Sequence, residues 1–355
     1  MGLRAAVESR VRFAQEPRDA WGVPLGCISW FYRGAVHLRN RWYDKGIGVR
    51  RLPAPVVSVG NLTAGGTGKT PMVILLSDLL KQKGAKVTVL SRGYGRSRTS
   101  SILQVSEGNG SKVSVRAAGD EPYMMAQRLK GVSIWVGADR FRAGMAAWET
   151  NHCDVFILDD GFQHRALARD LDLVVARLPR PWGNNKLIPA GPLREPVSSL
   201  KRAQLLVFTG EPDGGSQIQY SEATKPIPSI GAFLRAKNLR VMGGQQTYPV
   251  EFLRGKKAAL VCAIGDPHGL GNMVRALGAE LGPCLFFPDH HWYTPHDASC
   301  IKSLVGEVDL IVTTEKDIWK IRETGLDVPL LMALEVDLEV QGMGSLEALL
   351  ERLMV

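Results

Sequence analysis

The stretch "VGNLTAGGTGKTPMV" (59–73) gathers four glycines, a lysine and several threonines in an otherwise apolar sequence. Gly68-Lys69-Thr70 follows a β-branched run and precedes a helical pattern, the arrangement of a phosphate-binding loop. In such a loop the amides of Thr63, Ala64, Gly65, Gly66, Thr67, Gly68 and Lys69 surround phosphate oxygens at a helix N-terminus. The Lys69 ammonium reaches the β and γ oxygens, and the Thr70 hydroxyl meets Mg²⁺. The general pattern has glycine at position 63; here Thr63 stands there and Gly65-Gly66 can make the tight turn.

A second stretch, "VFILDD" (155–160), is an apolar strand ending in Asp159 and Asp160. Alone, such an ending is commonly a turn. Downstream of a phosphate loop on one sheet edge, either carboxylate suits Mg²⁺, directly or through water. Other residues admit two readings each. Asp120 in "AGDEP" suits a helix N-cap or a base that takes a hydroxyl proton. Arg194 in "LIPAGPLREP" suits phosphate charge or a surface pair with Glu195. In "FPDHHWYTP", Asp289, His290, His291 and His296 lack a convincing fourth zinc ligand, and an Asp-His pair orienting a catalytic group fits better. "TTEKD" (313–317) weakly resembles a guanine-specificity loop and carries no assignment.

These residues need positioning, and the spacing supplies it. Short apolar runs at 55–60, 86–90, 132–136, 155–158, 171–176 and 203–208 alternate with helical patterns, notably Lys69–Lys83 with Gly84 as its stop. That alternation predicts an α/β fold with a doubly wound, mostly parallel sheet. The glycine loop, "RGYGR" (92–96), "DDGFQH" (159–164) and "RLPRPWGNN" (177–185) each follow a strand. Parallel strands place such loops on one edge, where open α/β folds bind ligands. A polar, Gly/Pro-marked stretch at 211–230 reads as a boundary before a smaller α/β region with runs at 258–265, 284–287, 309–314 and 329–335. The expected division is an N-terminal arm at 1–50, a core domain at 51–228 and a second domain at 229–355.

The chain has 355 residues and a formal net charge of +9. Residues 1–51 hold ten Lys/Arg against four acids. Trp21, Trp30, Trp42, Tyr32 and Tyr43 interleave with these cations, a pattern shared by segments lying in a membrane interface and by arms packed on the body through their aromatics. The uncharged run Ala20–Tyr32 is too short to span a bilayer, since thirteen helical residues cover about 20 Å. Five cysteines without a C-x-x-C pair argue against a disulfide framework and suit a reducing compartment. With no recognised nucleic-acid module, the basic balance does not imply a nucleic-acid partner. An ATPase or GTPase switch of the partition type would carry lysine immediately before the paired glycines, where this chain has Ala64.

Taken in order, "SVGNLTAGGTGKTP", "LSRGYGR", "GDEP", "ILDDGFQH", "LIPAGPLREP", "FPDHHWYT" and "TTEKD" cover residues 56–317. Together they resemble the tetraacyldisaccharide 4′-kinases of lipid A biosynthesis in Gram-negative bacteria, a family that shares the missing glycine at position 63. The resemblance implies transfer of the ATP γ-phosphoryl group to the 4′-hydroxyl of a tetraacyldisaccharide 1-phosphate. It further implies that Asp120 acts with His290 on that hydroxyl. Thr70, Asp159 or Asp160, and Glu195 would lie around Mg²⁺, with Gln163 and Arg194 near phosphates. By the same resemblance the arm meets the cytoplasmic face of the inner membrane peripherally, no obligate protein partner is implied, and the two domains close for catalysis.

Overall fold

The computed structural model describes residues 22–97, 101–210, 227–244 and 246–354. Within them, β1 (Val56–Gly60), β2 (Val87–Ser91), β5 (Val155–Asp159) and β7 (Leu205–Thr209) are buried along their whole length. Continuous apolar runs of this kind belong to parallel strands covered on both faces. The side chains bear this out. Val57, Val59 and Ile157 enter one apolar cluster with the helix Lys69–Gln82, while Val56, Phe156 and Leu158 enter another with the helix Arg140–Thr150.

With β3 (Leu103–Ser106), β4 (Ser133–Val136) and β6 (Leu171–Arg177), the first half of the sheet reads β7-β6-β1-β5-β2-β4-β3. All its neighbours are parallel except β3–β4. The loops after β1, β2, β5 and β6 therefore leave from one edge. The fold is α/β with a mostly parallel sheet.

The second half contains β8 (Ser229–Val241), β9 (Thr247–Pro249), β10 (Lys257–Cys262), β11 (Glu280–Phe286), β12 (Leu310–Thr314) and β13 (Leu331–Gln341). Its order is β11-β10-β12-β13-β8, and β9 pairs with β8. The two halves form one continuous sheet. β8 pairs parallel with β7 through Ser229–Ala232 and antiparallel with β13 from Gly231 to Val241. Most of the stretch expected as a boundary, 211–226, lies outside the described residues, but its end is the start of β8. β8 escaped the pattern because Arg235, Lys237 and Arg240 give it a polar reading; all three pair across the ladder with β13, Arg235 with Glu339 at 2.8 Å, Lys237 with Asp337 at 2.9 Å and Arg240 with Glu335. The helix expected after "AGDEP" is Asp120–Arg128, whereas short helices at Pro295–Ser303 and Asp317–Arg322 were too brief to show a period.

Candidate active site

The phosphate loop is shaped by two glycines. Gly65 has φ +113° and Gly68, the N-cap of the helix Lys69–Gln82, has φ +92°, values that only glycine adopts freely. Gly60 also permits a close approach: a Cβ there would sit 2.6 Å from the Phe162 amide nitrogen, so a side chain would push the "DDGFQH" loop off β1. Within the loop Asn61 Nδ2 donates to the Thr63 carbonyl at 2.6 Å, and Thr209 at the end of β7 donates to the Thr67 carbonyl at 2.8 Å. The Ala64 amide donates to the Pro192 carbonyl at 2.8 Å, which ties the loop to "LIPAGPLREP". Thr63, Thr67 and Thr70 are buried, and Gly65 and Gly66 are exposed.

Asp159 and Asp160 end β5 beside this loop, since Asp159 is in register with Val59 of β1. Asp160 has φ +51°, a left-handed backbone that costs a non-glycine residue on the order of 1 kcal/mol. That turn aims its carboxylate at two cations: Lys69 Nζ at 3.6 Å and Arg194, which donates to both oxygens at 3.0 and 2.8 Å. Burial drives the Asp160 carboxyl towards its neutral form, but Lys69 and Arg194 prevail and hold it below the usual carboxylate range. Asp159 goes the other way. Burial first, then the charges of Glu121 and Asp160, push it well up, although Ser91 Oγ donates to it at 2.9 Å. The charge of Glu121 thus adds to those of Asp159 and Asp160, and Lys69, Arg194 and Arg140 oppose them.

Asp120 begins the helix Asp120–Arg128 and is 4% exposed. The N-cap is Gly119, with no side-chain cap, so the capping role open to Asp120 from sequence is not the one it fills. Oδ1 accepts from the Glu121 amide at 3.1 Å, and Oδ2 lies 3.0 Å from Nδ1 of His290, 170 positions along the chain. His290 also has a left-handed backbone, φ +61°, and Tyr94 of "RGYGR" rests against its ring at 5.0 Å between centroids. Burial favours an ionised Asp120 least, yet the hydrogen bond from His290 and the ammonium groups of Lys316 and Lys320 hold its carboxyl well below the ordinary range. Burial likewise opposes a charged His290, but the bond to Asp120 prevails and raises its pKa. With Asp120 ionised, Nδ1 carries the proton and Nε2 is left to accept one.

A family model for tetraacyldisaccharide-1-P 4′-kinase matches residues 21–354. The chain belongs to this kinase family. It is 39% identical over 318 residues to the tetraacyldisaccharide 4′-kinase of Syntrophus aciditrophicus, covering 85% of each chain. Against that of Geobacter sulfurreducens it is 37% identical over 297 residues, covering 83% of each. Among solved structures it is similar to LpxK from Aquifex aeolicus in complex with ATP, with TM-score 0.77 and 34% identity over 92% of this chain and 98% of that one.

Not every residue that the kinase resemblance gathered lies with the others. Glu195 is fully buried, and both its oxygens are taken: Oε1 by Arg39 at 2.6 Å, Oε2 by Asn40 at 3.1 Å and Arg202 at 2.9 Å. It clamps the arm helix Gly22–Asp44 to the body. Gln163 donates from Nε2 to the Asn61 carbonyl at 2.8 Å, and its buried Oε1 has no hydrogen-bond partner among the described residues. No group of three or more His, Cys, Asp or Glu side chains converges as a metal centre among the described residues.

The arm helix packs through the buried Val36, the Tyr32 ring and a set of polar contacts. Ser29 donates to the Leu187 carbonyl at 2.9 Å, Tyr32 to the Arg194 carbonyl at 2.9 Å, and Arg39 and Asn40 reach Glu195. Its large apolar side chains Ile28, Trp30, Phe31, Leu38 and Trp42 are all exposed. No helix among the described residues is long and apolar enough to cross a membrane.

Three groups at the site escaped the sequence reading. Ser91 supports Asp159, Glu121 adds its charge there, and Lys316 of "TTEKD" lies 3.4 Å from Asp120. Only the adjacency of Glu121 to Asp120 offered a signal. A lone serine at a strand end, or a lysine after two threonines, has no spacing that names its target.

Proposed function

We propose that this chain transfers the γ-phosphoryl group of ATP to the 4′-hydroxyl of a tetraacyldisaccharide 1-phosphate, giving the bisphosphorylated lipid A precursor. The observation that carries the reading is the Asp120–His290 pair, joined to the phosphate edge through Glu121, whose charge acts on Asp159. A phosphate loop alone describes many ATPases. A phosphate loop with a buried carboxylate–imidazole dyad in the same chain fits transfer to an alcohol. Lys69 and Arg194 supply point charge and a planar fork for phosphoryl oxygens. His290 Nε2 takes the 4′-hydroxyl proton as the sugar oxygen bonds to Pγ and the bond from Pγ to the ADP oxygen breaks. Asp120 stabilises the imidazolium that results, and Asp289, 4.0 Å from Nε2, adds a second negative charge.

The donor set fits Mg²⁺. Asp159 and the Thr70 hydroxyl are hard oxygen ligands for an ion that keeps waters and takes substrate phosphates, and Asp160, at the same strand end, would join them on exchanging an Arg194 contact for the ion. Bound there, the ion would neutralise charge on the β- and γ-phosphate oxygens. Glu195 is left out, because Arg39, Asn40 and Arg202 already satisfy it.

The acceptor side is the arm. Its aromatic face points away from the body, and between Trp30, Phe31, His37 and Pro196 lies a cleft of about 590 Å³. A smaller one of about 170 Å³ adjoins it at Arg41, Arg165, Lys201 and Arg202. An apolar crevice beside a cationic one suits an acylated, phosphorylated lipid met at an anionic bilayer surface. The proposed organisation is thus an arm at 1–50 on the cytoplasmic face of the inner membrane, a nucleotide-binding core at 51–228, and a second domain at 229–355 that brings His290 to the core.

Incubation with γ-labelled ATP and a tetraacyldisaccharide monophosphate, resolved by thin-layer chromatography, tests the reaction. A labelled lipid that forms only when acceptor is present is expected; ATP turnover at the same rate without acceptor would mark an ATPase. Flotation with anionic liposomes tests the arm. The full chain should float, and replacement of both Trp30 and Phe31 by serine should leave most of it at the bottom of the gradient.

A further inference from the structure

"TTEKD" forms a built device around one lysine. Thr314 Oγ1 donates to Asp317 Oδ2 at 2.8 Å, and the same carboxylate oxygen accepts from the Ala263 amide at 2.9 Å. The turn after β12 is thereby pinned to the end of β10. Lys320, one turn further on, sits 2.9 Å from Asp317 with both side chains fully buried, so its charge is committed there although Asp120 lies 3.6 Å away. Lys316 is free of that lock. Its Nζ stands among three carboxylates: Asp120 at 3.4 Å, Asp289 at 3.5 Å and Glu121 at 3.7 Å. Two belong to the helix that begins at Asp120, and the third immediately precedes His290.

We propose that Lys316 is the positioning residue of the catalytic dyad: its ammonium holds the Asp120 carboxylate where Oδ2 meets His290 Nδ1, so that Nε2 is the nitrogen presented to the acceptor hydroxyl. The inference rests on the dyad reading given under Proposed function. A bare Asp120–His290 pair could rotate, since an aspartate with a free second rotamer has no reason to keep Oδ2 on Nδ1. With one oxygen on the Glu121 amide and the other between His290 and Lys316, both are fixed. Lys316 arrives from the second half of the sheet on a turn pinned by Asp317, so the dyad is aligned only when the two halves are docked.

A lysine that only pairs with carboxylates acts on His290 by its charge, whereas one that holds Asp120 on Nδ1 also preserves the bond that raises the imidazole pKa, and the two effects have opposite signs. The groups facing His290 are Asp120 and Glu121 from one helix, Lys316 and Lys320 from the turn and helix after β12, Asp289 beside it, and the Tyr94 ring. Of these, Lys316 opposes a charged imidazole. Loss of its charge alone would move the acidic limb of the rate profile to higher pH, but release of Asp120 from Nδ1 removes the larger, raising cause, so a positioning lysine predicts a limb at lower pH in its absence.

The experiment uses the full chain with ATP, Mg²⁺ and the tetraacyl acceptor. Lys316→Met, which keeps the stem, should lower kcat by about 10–100-fold, the range found when a group orienting a site ligand is lost. KM for ATP should stay within about twofold, with the acidic limb displaced to lower pH. Lys316→Arg should restore most of kcat and return the limb. Loss of activity with the limb unmoved or displaced upward, or no loss at all, overturns the proposal. Histidine ¹⁵N NMR of the unsubstituted protein gives a readout that needs no variant: Nδ1 of His290 should carry the proton, and a proton on Nε2 of the neutral ring would equally overturn it. His290→Ala tests the underlying reading separately. Wild-type kcat in that variant removes the dyad itself, whereas a large loss there beside a silent Lys316→Met removes only the role of Lys316.

Discussion

Lys69 meets Asp160 at the ends of two paired strands, β1 and β5, inside one half of the sheet, whereas His290 meets Asp120 across 170 positions of chain. The phosphate edge depends on a local turn, two positive-φ glycines and a register between neighbours. The dyad depends on the docking of two halves. That docking has its own contacts: Arg128, on the helix that begins at Asp120, donates to Glu315 and to the Val336 carbonyl at 2.7 Å each, and Tyr123 meets Trp319 edge-on. A defect in the first half should therefore abolish nucleotide chemistry outright. A defect in the second should leave ATP bound and the hydroxyl unready.

The largest effect expected is that of Lys69→Ala. Losing a cation that meets the transferring phosphoryl group costs about 10³–10⁵-fold in phosphoryl transfer, and turnover measured with labelled ATP should fall into that range. Asp120→Ala should cost roughly 10²–10⁴-fold in kcat, as for general base catalysis, with binding of ATP by calorimetry retained. If ATP binding falls with it, the two regions are not separable in the way their geometry suggests.

The pH profile sharpens the contrast next. His290 must be neutral to accept a proton, and its pKa is raised above the ordinary 6.5 chiefly by the bond to Asp120. Activity should therefore decline as pH falls through a midpoint above that value, by about tenfold per unit once the imidazole is charged. In Asp120→Asn the raising cause is gone and burial dominates, so the limb should move to lower pH, in the same direction as for Lys316→Met and further. A midpoint that ignores both substitutions would assign the limb to another group.

How much of this was legible in the chain follows the same division. "AGGTGKT" and "VFILDD" name their chemistry because each function is written in contiguous residues on a strand–loop–helix unit. Asp120 and His290 were each ambiguous alone, since an aspartate before a helix is also a cap and a histidine pair is also a metal ligand, and only the family resemblance joined them. Lys316 stayed unread for the same reason carried further: its three partners lie on other elements. Glu195, gathered by resemblance with the metal ligands, is occupied by Arg39 and Asn40 of a helix whose docking the sequence did not show. The left-handed backbones of Asp160 and His290 leave no mark in residue type, yet they aim both side chains.

The smallest effect expected is at Tyr94. Its ring lies 5.0 Å from that of His290, while Gly93 and Gly119 let the two loops meet so closely that a Cβ on Gly119 would stand 2.9 Å from the Tyr94 carbonyl. The ring is more than half exposed, so it orients the imidazole by contact and contributes little to folding. An aromatic pair of this kind is worth about 0.5–1.5 kcal/mol. Tyr94→Ala should thus lower kcat by about two- to tenfold with the melting temperature nearly unchanged, and Tyr94→Phe should behave as the wild type. A loss in Tyr94→Phe equal to that in Tyr94→Ala would mean that the hydroxyl, and not the ring, is what the site uses, and would add the tyrosine to the groups that touch substrate. If only Tyr94→Ala is slowed, with KM for ATP unmoved, "RGYGR" belongs with the dyad although it is carried on the nucleotide-binding half. The boundary between the two regions would then pass through that loop, not through the strands that join the halves.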